Sequence, residues 1–119
     1  MIQNLEMMRG DSLVLRLEVT REGSVEDITG AEVWMTAKNA LGDDDEDAVF
    51  QKTVGDGVVI SDGPGGKATI TVSPADTEEL EIPDDRVNLF YDIQVKYPGG
   101  TFTVRSGKLI VKKDVTVAN

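Results

Sequence analysis

The sequence has no cysteine and no histidine. Without cysteine there is neither a disulfide nor a thiolate, so the fold must hold by packing alone. Without histidine the commonest general acid–base group is missing, and the usual thiol nucleophile is missing with cysteine. A Ser-His-Asp arrangement and any His-ligated metal site are therefore excluded. Phosphate-binding loops are absent too. No G-x-x-x-x-G-K-[ST] segment occurs, and Gly55-Asp56-Gly57 and Gly63-Pro64-Gly65-Gly66 neither complete G-x-G-x-x-G nor open a helix. A carboxylate-pair enzyme remains formally possible, but nothing singles out a pair. The sequence predicts no catalytic residue, no cofactor and no enzymatic activity.

Basic residues are also scarce. Asp and Glu number 22 against 12 Lys and Arg, a formal charge of −10. Affinity for nucleic acid rests on Lys and Arg displacing counterions from phosphates, and anionic lipid surfaces attract cations likewise, so neither nucleic acid nor a membrane is an expected partner. The opening Met-Ile-Gln-Asn-Leu-Glu-Met-Met-Arg-Gly lacks a basic stretch followed by an apolar one, so no signal peptide is expected. No apolar run approaches the ~20 residues of a spanning helix. These features predict a soluble chain assembled in the cytoplasm. Its 119 residues suit a single domain over 1–119, long enough to bury roughly two-thirds of the surface exposed on unfolding.

What the chain does have is period two, the spacing that sends alternate side chains to opposite faces of a strand. Ser12 to Val19 puts Leu13, Leu15 and Leu17 on one face. Ala31 to Lys38 alternates Ala31, Val33, Met35 and Ala37 against Glu32, Trp34, Thr36 and Lys38. Val49 to Val54, Val58 to Ile60 and Lys67 to Val72 are shorter strands, parted by Gly-Asp-Gly and Asp-Gly-Pro-Gly-Gly turns. The strongest alternation is Val87 to Tyr97. A turn at Pro98-Gly99-Gly100 leads to Thr101 to Ser106, and after Gly107 a last strand runs from Lys108 to Val117. One helical turn is expected near 74–80, where Ser73 can cap, Pro74 opens the helix and Pro83 stops it. The predicted fold is all-β: an Ig-like antiparallel β-sandwich of about seven to nine short strands, with a closed barrel as alternative.

Three features are candidates for function. Arg9-Gly10-Asp11-Ser12 matches a short adhesion motif, but Gly10 and Asp11 suit a bend between strands. Gly42-Asp43-Asp44-Asp45-Glu46-Asp47 is dense in carboxylates, and Asp43, Asp45 and Asp47 form a weak candidate Ca²⁺ site. The EF-hand template fails there, since its glycine position holds Ala48 and its bidentate Glu position holds Val54. The plainer reading is a solvated, mobile loop kept extended by like charges. Trp34 and Phe90 fall on the phase opposite to the apolar sets of their strands, which makes them candidate interface residues.

In order and spacing, several short segments resemble the small β-sandwich domains of bacteriophage tail and baseplate proteins, including the N-terminal domain of the baseplate upper protein family. The matching segments are Arg9-Gly10-Asp11-Ser12 with the strand after it, Glu26-Asp27-Ile28-Thr29-Gly30-Ala31, and Gly57-Val58-Val59-Ile60-Ser61-Asp62-Gly63. Ser73-Pro74-Ala75-Asp76-Thr77, Tyr91-Asp92-Ile93, Gly100-Thr101-Phe102-Thr103 and Gly107 follow in the same order. The resemblance implies a virion structural protein, a docking or assembly domain of the tail, baseplate or fibre attachment region. Its implied partners are other virion structural proteins and further copies of itself in a symmetric oligomer, and it brings no catalytic residue. Family members often carry long C-terminal receptor-binding segments; a chain of one domain argues against a direct host-receptor role. The alternatives are a capsid decoration or head-fibre protein of the same fold, and, in another class, a bacterial surface adhesion or carbohydrate-binding module.

Overall fold

A computed structural model describes residues 2–97 and 100–115. Its strands are β1 (Leu5–Met8), β2 (Leu13–Glu18), β3 (Thr20–Arg21), β4 (Ser24–Val25), β5 (Glu32–Lys38), β6 (Phe50–Val54), β7 (Gly57–Asp62), β8 (Lys67–Val72), β9 (Arg86–Tyr97) and β10 (Gly100–Lys112). Eight of them form one sheet in the order β1-β10-β9-β5-β6-β7-β8-β2, and β3 and β4 form a separate ribbon. The β1–β9–β10–β5 half and the β7–β8–β2 half share one cluster of buried side chains, among them Leu15, Ile70, Val33, Leu89, Ile93 and Leu109. The result is the expected all-β sandwich. It is open rather than a closed barrel, because β1 and β2 end the order without pairing to each other.

The alternation in β9 shows how the sequence builds this core. Leu89, Tyr91, Ile93 and Val95 are buried, while Phe90, Asp92, Gln94 and Lys96 lie on the outer side. A two-residue period can serve one buried face only, so its phase decides which side chains remain for solvent or a partner. No helix among the described residues is long and apolar enough to cross a membrane.

Among the described strands, pairing is antiparallel except at two places: β1 runs parallel to β10, a sense shared by the Ile2–Ser106 bridge before it, and β6 pairs parallel to β7 through Thr53–Gly57 and Val54–Val58. The second exception lies at the expected Gly-Asp-Gly turn, where Gly55 and Gly57 adopt φ of 89° and 92° and the chain passes from one half of the sandwich to the other.

A break was also expected at Gly107, with separate strands on either side. The chain instead runs straight through as β10, with Gly107 at φ 154°. A Cβ there would collide with the carbonyl of Gln3, so the glycine lets the segment leading into β1 lie against β10. Residues 116 and 117 of the expected last strand, and Pro98 and Gly99 of the expected turn, lie outside the described residues.

The helical turn forms at Pro74–Thr77 (α1). The Asp76 carboxylate accepts from the Ser73 N–H at 2.7 Å and from its hydroxyl at 3.0 Å. It also binds Lys52, a largely buried cation on β6, at 2.7 Å. The turn is thereby fastened to the edge of the sandwich. The Arg9-Gly10-Asp11-Ser12 bend is fastened as well. Arg9 Nε donates to Asp114 at 2.7 Å, Arg9 Nη1 donates to the Leu80 carbonyl at 3.0 Å, and the Gly10 N–H donates to the Thr77 hydroxyl at 2.9 Å.

Candidate functional site

The outer face of β10, β9, β5 and β6 carries both aromatic residues singled out by their phase. Cross-strand register arranges this face in rungs. Lys108, Phe90 and Lys38 form one. Ser106, Asp92, Thr36 and Gln51 form the next, and Thr103, Gln94 and Trp34 the one beyond it. Trp34 and Phe90 are thus two same-face steps apart, about 13 Å along the strands, with a polar rung between them. Both are half-buried. They line a common groove of about 630 Å³ with Ile2 and Leu41 at its lip. Ile2 is 85% exposed and Leu41 78% exposed, so two large apolar side chains stand in solvent beside the aromatics.

The groove is lined by polar as well as apolar groups. Trp34 Nε1 is buried and has no hydrogen-bond acceptor. A buried donor left unpaired costs roughly 1–3 kcal/mol. Lys96 Nζ lies 5.3 Å from the Trp34 ring centroid, a cation–π contact. Burial pushes the Asp92 carboxyl above the usual carboxylate range, against the attraction of Lys38.

The acidic segment shapes one wall. It was expected to be extended, but a 3₁₀ turn forms at Asp45–Asp47 and the segment folds back onto Lys38. Lys38 Nζ meets Asp45 Oδ1 at 2.7 Å and donates to the Asp43 carbonyl at 2.9 Å, while the Asp43 carboxylate accepts from the Ala40 N–H at 3.2 Å. The bond to Lys38 holds the Asp45 carboxyl below its ordinary value, and the same bond raises Lys38. One lysine neutralises the part of the acidic run nearest the sheet and brings Leu41 to the lip of the groove. Asp43, Asp45 and Asp47 do not converge: among the described residues no three acidic side chains form a group able to hold a metal ion.

Sequence phase placed Trp34 and Phe90 on the outer face. It missed Lys38, Leu41, Asp92 and Ile2 as their neighbours. The available signal was the same alternation, which puts Asp92 in phase with Phe90 and Lys38 in phase with Trp34; the register that joins the two strands is not written in either one.

Among classes of fold, this is an open all-β sandwich with a grooved outer face. Among solved structures, it is similar to the N-terminal domain of phage TP901-1 ORF48, with a TM-score of 0.51 and 16% sequence identity over 94% of this chain and 85% of that one. At that identity the likeness is one of fold. No protein-family model and no curated protein matches the chain.

Proposed function

We infer that this chain is a structural, non-enzymatic component of a bacteriophage particle, seated in the tail or baseplate region, that joins another virion protein through the Trp34–Phe90 groove. The observation that carries the reading is fold likeness to a phage protein domain along nearly the whole chain. The ordered segments from Arg9-Gly10-Asp11-Ser12 to Gly107 point the same way. The absence of histidine and cysteine agrees with a non-enzymatic role.

The groove suits a loop or strand of a partner protein that inserts an apolar side chain between Trp34 and Phe90. Such an occupant would cover Ile2 and Leu41. Aromatic anchors in desolvated pockets are the groups that dominate interface energies. The surface charge of −10 keeps the free subunit soluble until it is seated. A tail location separates this reading from the capsid decoration alternative.

Labelled antibodies against the chain, applied to native particles, test the reading. Label at the tail end is the expected result. Label confined to the head, or a chain missing from purified particles, would overturn it. A glycan array tests the carbohydrate-binding alternative, which predicts a hit abolished by Trp34→Ala.

A further inference from the structure

The other end of the sheet offers a second surface, remote in strand order from the groove. β2 ends the sheet order, so among the described residues one side of its backbone has no neighbour strand. Which groups lie on that side follows from one hydrogen bond. The Val19 N–H donates to the Gly66 carbonyl at 2.7 Å, continuing the register in which Glu18 faces Lys67. In an antiparallel pair, directly opposed residues alternate between bonding to each other and pointing their N–H and C=O groups away. Leu13, Leu15 and Leu17 therefore bond to β8, and Val14, Arg16 and Glu18 turn their backbone groups outward. The side chains of those three are exposed, Val14 by 45%. Such an edge is a template for a further strand.

We propose that two copies of this chain pair antiparallel through β2, about a two-fold axis at Leu17. Same-face matching and charge select this register. With the axis at Leu17, Arg16 stands opposite Glu18 of the second copy and Glu18 opposite its Arg16, which makes two opposite-charge cross-strand pairs. The outward backbone groups of Arg16 and Glu18 then exchange four N–H···O=C bonds with their counterparts. Leu15, Leu17 and Val19 stay together on the inner face, where each is buried. An axis at Arg16 would set Arg16 against Arg16, a like-charge pair. An axis at Leu15 would set Arg16 against Val14 and form no opposite-charge pair between the two copies. The pairing goes beyond the groove reading and does not depend on it, since the contact uses other residues and a different partner.

Sedimentation velocity of the full chain over a concentration series tests the proposal. Wild type is expected to form a dimer. Arg16→Glu and Glu18→Arg are each expected to weaken it about tenfold or more, since each reversal turns both attractive pairs into repulsive ones. The double variant R16E/E18R restores the opposite charges and is expected to dimerise like wild type, and the two single variants mixed together are expected to pair with each other. The exposed positions of both side chains predict monomers that stay folded, with Glu18→Arg slightly less stable because it faces Lys67 on β8, which a parallel thermal melt verifies. A wild type that stays monomeric up to about 1 mM overturns the proposal. So does a dimer indifferent to the single reversals, or one that the double variant fails to restore. None of these results bears on whether the chain occupies a phage tail.

Discussion

Arg9 and Asp114, 105 residues apart, meet at 2.7 Å in a contact that closes the chain on itself. The same guanidinium holds the Leu80 carbonyl at 3.0 Å, so one side chain fixes the bend before β2, the segment after α1 and the end of β10. The Arg9-Gly10-Asp11 triplet is thereby a structural clasp, its arginine turned to the chain's own carboxylate.

The clasp predicts an acid-sensitive contribution to stability. The bond to Arg9 holds the Asp114 carboxyl below its usual value. A depressed value stabilises the folded state above the ordinary carboxylate pKa, and that contribution disappears as pH falls through the depressed one. Asp114→Asn is expected to lower the melting temperature at pH 7, with the gap to wild type closing on acidification. Arg9→Lys, which keeps the charge but loses the two-pronged geometry, is expected to lower it too. Thermal melts at several pH values check both; a gap constant with pH would contradict the assignment.

Lys52 and Asp76 form the most deeply placed ion pair among the described residues, at 2.7 Å. Removing one member of a buried pair strands the other charge, whereas replacing both by apolar residues of similar volume is tolerated far better. Asp76→Ala strands Lys52 and also removes the acceptor for Ser73, and is expected to cost about 3 kcal/mol or more. Lys52→Met strands Asp76 but leaves it accepting from the Ser73 N–H and hydroxyl, so it is expected to cost less. Urea denaturation of both variants provides the comparison, and the reverse order would contradict the account.

Asp92 lies at the centre of the groove, and burial raises its carboxyl above the ordinary value. A raised value means the folded chain holds that proton more tightly than the unfolded chain. The resulting stabilisation is complete below the unfolded pKa and is lost as pH rises through the folded one, so ionised Asp92 weakens the fold at neutral pH. Asp92→Asn should therefore raise the melting temperature at pH 7, and the gain should shrink as pH falls. A lower melting temperature at pH 7 would mean that attraction to Lys38 outweighs burial.

Much of this was legible in the sequence. The apolar sets of β2, β5 and β9 gave the buried face directly, because a strand with one buried side must repeat every second residue. Ser73-Pro74 marked α1 for a similarly local reason. What stayed hidden is mainly non-local. β1 is short and takes its partner, β10, from the far end of the chain; the β3–β4 ribbon pairs locally, but its strands are only two residues long. Gly107 looked like a break because a glycine's local meaning is a turn, whereas here it admits a crossing segment. The acidic run looked extended because charge counting along the chain overlooks Lys38, whose position on β5 supplies the counter-charge.

The groove makes its own prediction. Trp34 lies on the outer face, so Trp34→Ala should cost less than about 2 kcal/mol in stability, against roughly 3–5 for an aromatic deep in a core. Its effect should fall on assembly instead. Thermal melts beside incorporation of the variant into particles would separate the two, and a large loss of stability with normal incorporation would place Trp34 in the core.

A map of the native particle by electron microscopy tests the central claim most directly. The account predicts density for this sandwich at the tail or baseplate, with the Trp34–Phe90 face closed by another virion protein and Ile2 and Leu41 covered. A particle in which the chain is absent, or in which that face looks onto solvent in every copy, would contradict it.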